Sequence, residues 1–142
     1  IADVLNLPIK LETGLSEWLN PDWMDEEPQL HSIRELVKFY PRIDASYTPV
    51  IAARYPETRA QVRARAGQTA RCLATEYSPE NILLVAHGAS VNGAVMGIAG
   101  ESIYQAEKVR LCSLFKLVRQ HPEWWIELKG DTSHLTEVEE MV

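Results

Sequence analysis

The residues best placed to do chemistry are His87, Gly88, Ala89 and Ser90, which directly follow the apolar run Ile82-Leu83-Leu84-Val85-Ala86. An unbroken apolar run ending in His-Gly, with small residues at helical spacing after it, predicts a buried parallel strand. Such a strand delivers the histidine to its carboxyl end, where a helix begins. In open α/β sheets ligands bind at that edge. An imidazole beside the free N–H groups of a helix start suits an anion, phosphate above all. A histidine that only caps the helix fits the same pattern. Ser90 invites a serine-hydrolase reading, but the Gly-x-Ser-x-Gly elbow needs glycine where Asn92 stands, and no strand runs directly into that serine. Ser90 reads instead as a helix N-cap.

The elements that must position these residues belong to a chain of 142 residues, one domain or part of one. A hydrophobic content of 46% is that of an ordinary globular protein, with no apolar run long enough for a membrane span. The net charge of −6, without a basic stripe, argues against nucleic acid as a partner. A phosphate site would therefore need local cations set against the global field. Cys72 and Cys112 form no C-x-x-C pair and read as buried free thiols, which favours a reducing, cytoplasmic compartment. No metal or cofactor is implied.

Along the chain, Ile1 to Leu7 reads as the tail of a helix that Pro8 stops, and Ile9-Lys10-Leu11 as a short strand. Thr13-Gly14 turns the chain into Leu15–Leu19. Pro28 to Tyr40 carries a helical apolar stripe, with His31 off it, and residues 41–56 read as loop. The longest helix starts at Pro56-Glu57-Thr58. Val62, Ala66, Thr69, Ala70, Leu73 and Tyr77 form one face, while Arg59, Arg63, Arg65 and Arg71 read as a solvated surface. After the run 82–86 comes a glycine-spaced helix from about Ser90 to Ile98, whose glycines allow close packing on a neighbouring strand. A short helix Ile103–Val109, strands Leu111–Val118 and Trp124–Lys129 around a His121-Pro122 turn, and a frayed acidic tail from Glu137 complete the reading. Trp125 and Ile126 are placed inside the sheet or at its edge. Alternation of this kind means α/β. Only about four strands are visible, so the sheet is incomplete.

Leu83-Leu84-Val85-Ala86-His87-Gly88 resembles the second-histidine strand of the histidine phosphatase superfamily, the phosphoglycerate-mutase-like fold. Leu11-Glu12-Thr13-Gly14-Leu15-Ser16-Glu17-Trp18 resembles its acid-bearing segment, and Asp131-Thr132-Ser133-His134-Leu135 its closing loop. The stretches Arg42–Tyr47 and Tyr55–Thr58 bring the resemblance closest to the Sts-type protein tyrosine phosphatases and ecdysteroid-phosphate phosphatases. The superfamily's Arg-His-Gly signature and its later arginine are absent from the sequence. The resemblance therefore implies an incomplete three-layer sandwich. Residues 1–142 would be the C-terminal portion of a single domain whose nucleophilic histidine lies upstream.

What the resemblance implies for function is phosphomonoester hydrolysis through a phosphohistidine, with this chain supplying the proton donor and the second histidine. His87 would donate to a phosphoryl oxygen, with the N–H groups of Gly88 and Ala89 completing the cradle. Glu17 fits the proton donor, since the neighbouring Trp18 offers a partly apolar place that favours a retained proton. Glu12 competes for that role, but alternation with Ile9 and Leu11 turns it to solvent. Trp18 would line the substrate mouth, Tyr47 and its loop would shape substrate choice, and His134 would act behind the site. The expected partner is a phosphoprotein or small phosphate ester, with a homodimer also open, and the chain alone is expected to be inactive. The alternatives are a non-catalytic binding module of the same fold and a phosphoglycerate-type mutase. The segment after Glu17, Trp18-Leu19-Asn20, departs from the mutase pattern.

Overall fold

The computed structural model describes residues 1–120 and 122–135. In chain order it contains α1 (Ala2–Leu5), a 3₁₀ turn (Thr13–Leu15), α2 (Ile33–Phe39), α3 (Arg59–Glu76), α4 (Gly88–Ala99), β1 (Leu114–Gln120) and β2 (Glu123–Asp131). The acidic tail and His121 of the His121-Pro122 turn lie outside the described residues.

Local chemistry explains where the helices begin. Thr58 and Gln61 form a reciprocal capping box at the start of α3, and Ser32 and Glu35 form another at α2. The predicted helix over 28–40 is therefore shortened to begin after Ser32. α1 ends at Asn6 in the left-handed conformation, before Pro8. Ile9 makes a single parallel bridge with Ile43 in place of a strand.

The helix pair α3–α4 is the centre of the molecule. Val62, Ala66, Ala70 and Leu73 of α3 are buried, as are Val95 and Ala99 of α4. The two backbones approach so closely that a Cβ on Gly97 would sit 2.3 Å from the Cα of Gly67. The glycine spacing of α4 thus serves contact with a helix, not with a strand as expected. β1 and β2 form an antiparallel hairpin with Leu117 opposite Ile126 and Val118 opposite Trp125. Because neighbouring strand residues face opposite ways, Ile126 is half-buried while Trp125 is exposed.

Asn92 fastens the segment after α4. Its amide donates to the Glu107 carbonyl (2.8 Å), and its oxygen accepts from the Tyr104 hydroxyl (2.7 Å). The predicted helix 103–109 is consequently a turn over 101–103 and then irregular chain, with Tyr104 fully buried against Phe115. Cys112 stands at φ 55° in a turn, and both cysteines are free and exposed, contrary to the expected burial.

The run 82–86 departs most from expectation. It pairs with no strand among the described residues. Leu84 and Ala86 pack on the core formed by Leu15, Ala66 and Leu73. The intervening Leu83 and Val85 are 50% and 70% exposed.

Candidate active site

Glu17 and His87 lie 70 positions apart in the sequence, yet Glu17 Oε2 is 2.8 Å from His87 Nδ1. His87 occupies the N-cap position of α4 but makes no side-chain cap bond, because its ring is turned toward Glu17. With Nδ1 engaged, Nε2 is the nitrogen left for a ligand. Val91 N–H donates to the His87 carbonyl (2.8 Å) as the first intrahelical bond. The N–H groups of Gly88, Ala89 and Ser90 precede that bond and have no partner within the helix. Gly88 is exposed and Ala89 half-buried, so the helix start is open to solvent beside the imidazole. The other Glu17 oxygen accepts from the backbone N–H of Trp18 at 2.8 Å.

The loop carrying Glu17 is held from several sides. Glu12 does not face solvent as its alternation suggested. Its Oε1 accepts from Gly14 N–H (2.7 Å), and its Oε2 accepts from the Tyr47 hydroxyl (2.6 Å) and Val50 N–H (2.8 Å). Every Glu12 oxygen is thus committed to tying the 3₁₀ turn to the 41–56 loop, which removes it as rival acid. Burial and then the bond to Glu12 raise the Tyr47 phenol above its ordinary value. Ser90 is fully buried and is not the N-cap. Its hydroxyl donates to the Ser16 carbonyl, linking α4 to the residue before Glu17.

Arg65, expected on a solvated face, is 7% exposed. It forms a two-pronged ion pair with buried Glu57, Nε to Oε1 at 2.6 Å and Nη2 to Oε2 at 2.7 Å. The same guanidinium donates to the carbonyls of Thr13 and Gly14 (both 3.1 Å) and of Glu17 (3.2 Å). A signal for this was present. Position 65 stands three after Val62 and four before Thr69, inside the apolar stripe, where a lone arginine needs a buried partner.

The Trp18 indole N–H donates to the Glu57 carbonyl (2.8 Å), its ring meets Trp23 edge-on at 5.1 Å, and Arg59 lies over it at 5.4 Å. These contacts are those of an anchor beside the Glu17 loop. His134 is exposed in the turn after β2, close enough for its charge to help hold the Asp131 carboxyl low, behind the larger effect of the Ser133 N–H and hydroxyl. A separate open hollow of about 580 Å³ lies near the chain start, lined by Ile1, Ile9, Phe39 and Arg42 among others, and includes no candidate residue.

The family model of the histidine phosphatase superfamily (branch 1) matches residues 1–132. The chain belongs to that superfamily. Among solved structures it is similar to the ecdysone phosphate phosphatase of Bombix mori in complex with tungstate, with a TM-score of 0.77 at 21% sequence identity. That similarity covers 96% of this chain and 59% of the silkworm chain, and makes the fold the phosphoglycerate-mutase-like α/β type. No curated protein sequence matches.

Proposed function

We propose that this chain contributes the acid and one imidazole to a phosphomonoesterase pocket, as the C-terminal portion of a histidine phosphatase domain. The observation that carries the reading is the 2.8 Å approach of the Glu17 carboxylate to His87 at the open start of α4. A carboxyl, an imidazole and free N–H groups at one point meet two needs of phosphoryl transfer: a proton for the leaving oxygen and donors for the phosphoryl oxygens. The Nε2–H of His87 and the N–H groups of Gly88 and Ala89 would bind the phosphoryl group, with Nδ1 accepting from the Glu17 carboxyl. Glu17 would give its proton to the leaving alkoxide as a histidine from the rest of the domain forms the P–N bond and the P–O ester bond breaks. Its carboxylate would then take a proton from the water that cleaves the phosphohistidine.

The bare side chains of Leu83 and Val85, and a run 82–86 that is unpaired among the described residues, support the reading of a partial domain, since an apolar strand is stable with its edges paired and both faces covered. The substrate class is phosphorylated protein or a small phosphate ester. Release of phosphate rather than its transfer within a phosphoglycerate separates the phosphatase from a mutase. The test is p-nitrophenyl phosphate hydrolysis by the full-length protein and by the 142-residue chain. The full-length protein is expected to turn over and the chain alone is not. Turnover by the pure chain that His87→Ala abolishes would refute the partial-domain reading. No turnover in any form would leave a non-catalytic module.

A further inference from the structure

We infer that the buried Glu57–Arg65 pair on α3 is a positioning device for the Glu17 carboxyl, over and above any part it has in holding the fold; this rests on the reading of Glu17 as proton donor. The pair grips the acid-bearing segment on both flanks. Upstream, Arg65 Nη1 and Nη2 reach the carbonyls of Thr13, Gly14 and Glu17 at 3.1 to 3.2 Å. Downstream, Leu19 N–H donates to Glu57 Oε2 (3.3 Å), Glu57 N–H donates to the Leu19 carbonyl (2.8 Å), and the Trp18 indole donates to the Glu57 carbonyl (2.8 Å). Glu17 is therefore the residue at which two sets of bonds from one ion pair meet, and its own carbonyl is one of the acceptors. The side chains of Glu57 and Arg65 are 6% and 5% exposed, so neither end of the device is loosened by water.

The geometry also says why arginine is needed. One planar fork must hold a carboxylate on one edge and several loop carbonyls on the other, which a lysine ammonium cannot do. Neither residue touches the place where a phosphoryl group would sit. Their effect on catalysis would run through the position of the Glu17 oxygens relative to His87 and to the leaving oxygen, where displacements of about 1 Å are costly.

A purely structural pair and a positioning pair differ in what they do to different leaving groups. A proton donor matters greatly when the leaving alkoxide is a strong base and little when it is nitrophenolate. The experiment measures kcat of the full-length protein on an alkyl phosphate and on p-nitrophenyl phosphate. It compares wild type, Glu17→Gln, Arg65→Lys and Glu57→Asp, with circular dichroism to report the folded fraction. Glu17→Gln is expected to lose about 10²- to 10⁴-fold on the alkyl ester and far less on the aryl ester. Arg65→Lys should show the same bias in weaker form, roughly tenfold or more between the two esters after correction for folded fraction. Should Arg65→Lys not fold, Glu57→Asp keeps both charges buried and draws the clamp back by one methylene, and the bias is read there. A Glu17→Gln bias with equal losses on both esters in Arg65→Lys and Glu57→Asp overturns this inference alone. No bias in Glu17→Gln, or no phosphate release by wild type, overturns the acid assignment and the inference with it.

Discussion

The two segments that meet at His87 are built in opposite ways. The acid loop, residues 12–17, is short and largely irregular, yet Glu12, Arg65 and Ser90 fasten it from three directions. The run 82–86 has the more regular sequence, yet it is unpaired among the described residues and bares Leu83 and Val85. In the loop, order comes from polar groups with fixed partners in this chain. In the run, it must come from burial and a hydrogen-bonded ladder, and the described residues supply neither on its outer side. The difference teaches that polar partners hold the Glu17 side of the pair, while on the His87 side the outer face of the run has no cover among the described residues.

Removing the functional end of each segment should give the largest effects. His87→Ala is expected to remove nearly all turnover of the full-length protein, on the order of 10²- to 10⁴-fold or more, since the hydrogen-bond donor proposed for the phosphoryl oxygens and the partner of Glu17 are both lost. Steady-state kinetics with inorganic phosphate as readout checks this. Loss of less than about tenfold would mean that the His87 ring pairs with Glu17 without holding the phosphoryl group.

A second prediction separates the segments by context. Val85→Lys places a charge on a side chain that is 70% exposed in this chain, and should leave its thermal midpoint nearly unchanged. In the full-length protein the same change should cost several kcal/mol if the outer face of the run is covered there by apolar groups. Parallel melting curves decide it. Equal small effects in both would show that Leu83 and Val85 face solvent in the whole protein too.

Gly14→Ala should instead damage both contexts alike. A Cβ there would lie 2.1 Å from Thr69 Oγ1 and 2.8 Å from Glu12 Oε1, and Thr69 is fully buried, its hydroxyl without a partner among the described residues. Relief requires moving either α3 or the Glu12 clamp, an overpacking penalty of about 1–3 kcal/mol. Urea denaturation of the 142-residue chain and of the full-length protein should show similar losses. A loss confined to one of them would deny that the same polar partners hold the loop in both.

How legible each segment was follows from the same contrast. The glycine-spaced helix after His87 could be read because its periodicity is local. So could the stripe of α3 and the two strands of the hairpin. Glu17 was found through the family resemblance of its segment, since a glutamate in irregular chain has no periodic signal. The roles of Glu12, Arg65 and Ser90 were hidden because each depends on a partner far away in the sequence: Val50, Thr13 and Ser16 respectively. For Arg65, composition pointed to solvent while its place in the α3 stripe pointed inward, and the nearby Glu57 decided between them. The ladder expected for 82–86 failed for the converse reason: pairing depends on a neighbouring strand, and none lies beside the run among the described residues.

The smallest effect probes the far anchor of the acid loop, the bond from Tyr47 to Glu12. Burial is the main cause of the raised Tyr47 value, with the Glu12 hydrogen bond and charge adding to it. The unfolded phenol titrates near 10.0, and the folded one does so later. A raised folded value means that the native state holds the proton more tightly. The phenol's contribution is therefore fully present below pH 10 and declines as pH rises from about 10 through the higher folded value. Tyr104 is raised as well, chiefly by burial, so wild type alone would mix the two. The difference between wild type and Tyr47→Phe isolates one. Tyr47→Phe should be less stable than wild type at pH 8, by about 0.5–1.5 kcal/mol for a lost hydrogen bond, and the gap should narrow above pH 10. A gap that stays constant from pH 8 to 11 would show that the Tyr47 phenol is neither buried nor bonded to Glu12 in the native state. The clamp on the loop would then reduce to the Gly14 and Val50 N–H groups at 2.7 and 2.8 Å, together with Arg65 and Ser90.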